Sequence, residues 1–309
     1  MIINSAMSPI LSPRLMQRIT FQMNSTLKLW TQLGLGTALA GGMLAACGGE
    51  AGGEAGGEAA AVASGESGAA GGEGEGGTGP GEGGATPAGG EGEGGVAVAD
   101  AATDPVAYGI ALAVTEAHVV AARDAFAAGK NDAAAEMFAH PASEVLVEMD
   151  PVFAKLGVKD FKPLLTDASV AVSDGKSSAE VGKRYDAIIA ALRAAATKAP
   201  AGNASEAKVA AGIIADQIER ASAMYRLIAK DASYEPYLDG YGFARVAESA
   251  FARNAKAIKA DNPDLYARMN EALVVLKQAY PAATRPAKLA LEQGAVSAAS
   301  SKVMLAAGN

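Results

Sequence analysis

Apolar residues recur at three- and four-residue spacing from Pro105 almost to the end of the chain, and strictly alternating runs are scarce. That is the period of amphipathic helices, and the abundance of Ala strengthens it. The pattern predicts about eight helical segments. The first runs from Asp104-Pro105 to Gly129, with Pro at its start and Gly at its end. A second begins at Asn131-Asp132 and reaches about Gly157, bent or broken at Pro141. A short one lies near 161–172, and others cover roughly 178–197, 205–230, 237–260, 264–280 and 285–306.

The breaks between these segments carry turn chemistry: Pro200-Ala201-Gly202-Asn203, Asp261-Asn262-Pro263 and Pro281. Ser205 and Asn262 are good N-caps. Short loops favour antiparallel neighbours, so the expected fold class is all-α, an antiparallel helical bundle over residues 99–309. No internal repeat of fixed period stands out. Tyr225, Tyr234, Tyr237, Tyr241, Phe243 and Phe251 cluster in one stretch and are expected to pack the second half of the bundle.

Upstream of the bundle the pattern changes. Residues 48–98 repeat Gly-Gly-Glu and Gly-Glu-Gly units with few apolar side chains. Burial there cannot offset the entropy of ordering, so a disordered linker is expected. A Gly-rich coil of that length has an r.m.s. span of about 40 Å.

Charge follows the same division. The linker holds nine Glu and no Lys or Arg, whereas residues 1–47 hold three bases and no acid. Taking those nine from 34 acids and those three from 26 bases leaves 25 against 23, so the net charge of −8 belongs mostly to the linker. A nearly neutral bundle without a basic patch makes nucleic acid an unsuitable partner.

Lys28 precedes an apolar run from about Leu33 to Ala46. The run is short of the roughly 20 residues that span a bilayer and reads as the core of an export signal. Met16 or Met23 would give a more usual signal length than Met1. The chain's single cysteine follows directly, in Leu44-Ala45-Ala46-Cys47-Gly48-Gly49. This segment resembles the lipobox of bacterial lipoproteins. The resemblance implies a signal peptide over 1–46, cleavage before Cys47, a diacylglyceryl thioether on Cys47 and acylation (palmitate or a similar chain) of the new amino terminus. It also implies membrane anchoring on the periplasmic side of the cell envelope. Gly48 is similar to the outer-membrane sorting class of Gram-negative bacteria.

The chain has two histidines, His118 and His140. Glu136, His140 and Glu144 fall on one helical stripe, because four residues turn 40° past a full circle. Imidazole between two carboxylates suits iron, zinc or copper, and Glu116 and His118 could join from the first helix. Glu148 and Asp150 follow close by. The alternative is a solvated surface pair, which Glu and His at this spacing commonly form. The carboxylates and tyrosines of 234–243 could face a cleft or could simply pack a helix start. No H-E-x-x-H, G-x-S-x-G or Walker element stands in its proper context, so no enzyme is expected.

The acid-flanked His140 segment and the Tyr-Leu-Asp-Gly-Tyr-Gly-Phe stretch 237–243 resemble the imelysin-like group of bacterial envelope proteins, which includes periplasmic components of iron-uptake systems. That resemblance implies an all-helical, lipid-anchored protein that binds iron or another divalent metal. The family's G-x-H-x-x-E motif is only partly matched: Glu144 lies four residues after His140, and no Gly stands two before it. The other expectation is a scaffold or partner-binding module of the envelope.

Overall fold

A computed structural model of the chain describes residues 97–230 and 232–308. The signal segment, Cys47 and nearly all of the Gly/Glu linker lie outside the described residues. Ten α-helices and no strand occur among the described residues: α1 (Val98–Ala101), α2 (Pro105–Ala127), α3 (Asn131–Glu144), α4 (Leu146–Leu156), α5 (Lys162–Ser173), α6 (Ser178–Ala196), α7 (Glu206–Ile228), α8 (Glu235–Asp261), α9 (Pro263–Ala279) and α10 (Gln293–Ala307). The all-α bundle expected from the period is the fold.

The caps explain where the helices begin. Asp104 accepts the Val106 N–H ahead of Pro105, Ser205 accepts from Lys208, and Asn262 accepts from Leu265. Ser177 and Glu180 form a reciprocal capping box at the start of α6. Gly129, Gly157 and Gly175 take positive φ where α2, α4 and α5 end, a conformation that costs glycine little.

Helix α2 runs through the middle. It packs against α3, α6, α7 and α8. Among the described residues it is the helix long and apolar enough to cross a membrane, with a mean hydropathy of 1.4, yet 72% of that stretch is buried inside the protein. A helix apolar on all sides is what a central position requires. The widest helix–helix contact is between α7 and α8. Tyr225, Tyr237, Tyr241, Phe243 and Phe251 are buried in this half, as their clustering suggests.

Two boundaries differ from the sequence pattern. The expected second helix is two, but the chain stays helical through Pro141 and breaks at Val145. The expected helix over 285–306 starts only at Gln293. Pro281 and Pro286 each lack an N–H, and the segment between α9 and α10 is held by side chains instead. Tyr237 and Tyr234 donate their hydroxyls to the Ala282 and Ala283 carbonyls at 2.8 and 2.5 Å. Tyr225 donates to the Leu291 carbonyl and accepts the Leu291 N–H. Arg285 donates to the Ile228 carbonyl.

Candidate metal centre

Three helices bring the candidate ligands together. Helix α2 supplies His118, α3 supplies Glu136, His140 and Glu144, and α8 supplies Glu235 and Asp239.

His118 is 1% exposed. Its Nδ1 lies 2.8 Å from the Val114 carbonyl oxygen. A carbonyl only accepts, so Nδ1 carries the proton and Nε2 is left with its lone pair. A backbone hydrogen bond of this kind fixes the tautomer and orients a metal-ligating imidazole. Nε2 is buried without a hydrogen-bond partner and sits 3.5 Å from Asp239 Oδ1. Two electron-rich atoms thus face each other at a separation that suits a shared cation, since donors on one ion with bonds of about 2.1 Å lie roughly 3–4 Å apart. The Phe243 ring stands edge-on to the imidazole, 5.9 Å away. Burial lowers the His118 pKa to about 4, against the backbone bond, with the charges of His140 and Arg220 adding to the fall. His118 is therefore the neutral base at pH 7, the form that binds metal.

His140 is half-buried and lies among carboxylates. Nε2 is 3.6 Å from Glu136 Oε1 on its own helix, and Nδ1 is 3.5 Å from Glu235 Oε1 on α8. Burial works against its charge, but Glu136, Glu144 and Glu235 outweigh burial and raise the pKa to about 9. The carboxyl groups of Glu144 and Glu235 are pushed up, first by burial. Glu144 itself stands at the solvent edge of the cluster.

Donor atoms of His118, His140 and Glu144 all lie within 4.8 Å of one another, as do those of Glu136, His140 and Glu235. The stripe 136/140/144 therefore meets His118 and Glu235 from neighbouring helices, with His140 half-buried, Glu136 partly exposed and Glu144 exposed. Glu116 does not join it. Two residues apart on a helix point about 200° apart, and Glu116 forms a two-pronged ion pair with Arg193 of α6 at 2.6 and 2.5 Å. Asp150 pairs with Lys162. Glu235 and Asp239 belong to the 234–243 stretch whose carboxylates could face a cleft, but sequence reasoning did not join them to the histidines. Their four-residue spacing at the start of α8 was the available signal.

Local packing explains the convergence. A Cβ on Gly242 would run into the Ala117 carbonyl oxygen of α2. Glycine there lets α8 press against α2, which carries Asp239 up to His118. Arg220 of α7 lies behind Phe243, 6.0 Å from the ring centre, and pairs with Asp216 at 2.9 Å.

No protein-family model, curated protein or solved structure matches this chain.

Proposed function

We propose that this protein is a membrane-tethered lipoprotein of the bacterial envelope whose helical bundle binds a transition-metal ion, iron or another divalent metal, between α2, α3 and α8. The observation that carries the reading is the convergence of His118 from α2 with His140 and Glu144 from α3, with an orphaned imidazole lone pair at the centre. Imidazole and carboxylate donors without thiolate suit iron, manganese, cobalt or zinc. Binding, handling or delivery of the ion is the reading this donor set supports. An iron-handling role is also what the imelysin-like resemblance implies, with an envelope protein as partner.

Metal analysis of the purified full-length protein at neutral pH, with His140→Ala beside it, tests the reading. Stoichiometric metal lost in the variant is expected, and equal, substoichiometric metal in both samples would overturn it. The tether rests on Cys47. Mass spectrometry of protein recovered from bacterial membranes should find a diacylated or triacylated peptide beginning at Cys47. An unmodified Cys47 inside an uncleaved chain would refute the anchor.

The second reading is a metal-free scaffold. Its support is that an imidazolium at His140, flanked by Glu136 and Glu235, can itself fasten α3 to α8. In that case metal would leave the stability of the protein unchanged.

A further inference from the structure

We propose that the cluster is a dinuclear site, built to hold two divalent cations side by side. The inference rests on the metal-binding reading above and adds to it the number of ions and the division of ligands between them.

The donor inventory is the first observation. Two histidines and four carboxylates meet here: His118, His140, Glu136, Glu144, Glu235 and Asp239. One ion cannot use them all comfortably, since transition metals take four to six donors and leave room for water. Helical bundles that hold two metal ions use this same complement of four carboxylates and two imidazoles.

The way the groups subdivide is the second. Two triads have mutually close donor atoms, and they share His140. A neutral imidazole has one lone pair, so His140 serves one ion. If it completes Glu136 and Glu235, the other triad is left with His118 and Glu144. Asp239 then makes up the number, because its Oδ1 lies 3.5 Å from His118 Nε2. The result is two halves that both draw on one imidazole and two carboxylates: Glu136, His140 and Glu235 are mutually close, whereas Glu144 and Asp239 are joined through His118. His118, Glu144 and Asp239 form one half, and His140, Glu136 and Glu235 form the other.

Charge is the third. The cluster gathers four carboxylates around two imidazoles, and with both imidazoles neutral the charges of two divalent ions match those four carboxylates in number. The buried, unpartnered Nε2 of His118 is the independent sign that the cluster is more than surface acidity.

The test uses full-length protein stripped of metal and reloaded. Native mass spectrometry with zinc counts the ions, and electron paramagnetic resonance with manganese(II) reports whether two ions are neighbours. Two ions per chain, with an exchange-coupled manganese spectrum in place of the six-line signal of an isolated ion, are expected. The double variant Glu136→Gln/Glu235→Gln should keep one ion and show the six-line signal. One ion per chain in the wild type, lost in His118→Ala, would overturn the dinuclear site and leave the metal-binding reading standing. Two uncoupled ions, or two ions retained in the double variant, would likewise overturn it. No ion in the wild type would remove both readings. The wild-type count stands alone should the double variant fail to fold.

Discussion

The imidazoles of His118 and His140 lie 6.3 Å apart, centre to centre, and their surroundings drive their charges in opposite directions. His118 is sealed behind Phe243 with its Nδ1 proton given to the backbone. His140 sits among three glutamates that stabilise its cation. Without metal the pair is one neutral base beside one imidazolium. With metal both rings must be neutral, so binding at pH 7 displaces a proton from His140.

This asymmetry sets the pH dependence of the metal-free protein. The unfolded chain protonates His118 below about 6.5, but the fold does so only below about 4. That term costs stability as pH falls through 6.5 towards 4. His140 has its folded pKa raised to about 9. Its contribution is complete below 6.5 and is lost as pH rises through about 9. Urea denaturation in the presence of chelator, at pH 6.5, 8 and 9.5, checks it. The wild type should lose its advantage over His140→Ala across this range. A constant difference would contradict the assigned charges.

Metal should stabilise the fold. An ion held at about 100 times its Kd adds about 2.7 kcal/mol to unfolding. Thermal melts with and without a chelator read this directly, and the shift should vanish in His118→Ala.

The carboxylates are separable by substitution. Glu144→Gln removes a proposed ligand and should weaken metal binding at least about 10-fold. Glu116→Gln should leave affinity unchanged, because Glu116 is engaged with Arg193. Its cost falls on stability instead, as does that of Arg193→Ala, which strands a nearly buried carboxylate at about 1–3 kcal/mol. Titration calorimetry and denaturation of the same variants distinguish the two effects.

Gly242→Ala tests the approach of α8 to α2. The added methyl meets the Ala117 carbonyl, and forcing the helices apart should cost about 1–3 kcal/mol. The displacement also moves Asp239 from His118, so metal affinity should fall together with stability. Loss of stability with unchanged affinity would separate the packing contact from the site.

Much of this was legible in the sequence. Helical period, Pro and Gly punctuation and the caps at Ser205 and Asn262 gave nearly every helix, because these signals are local. The stripe 136/140/144 was legible for the same reason. The segment over 281–292 was not. Its Ala- and Leu-rich pattern reads as helix, and its conformation is set by tyrosine hydroxyls from α7 and the start of α8, which are distant in sequence. The 234–243 carboxylates were legible as possible cleft residues, but the link of Glu235 and Asp239 to the histidines was not. They sit in an aromatic stretch whose packing role is evident, and only the fold shows that α8 lies across α2 and α3 there. Glu116 misled because proximity to His118 in sequence is not proximity on a helix face.

The most direct measurement exploits the fact that the chain has only two histidines. Imidazole ¹⁵N NMR of the full-length protein, recorded metal-free and then at saturating zinc, reports each ring separately. Both His118 Nε2 and one nitrogen of His140 should move together into the metal-bound range, with His140 losing its imidazolium signature at pH 7. Zinc bound while either ring keeps its metal-free signals would contradict a centre shared by the two.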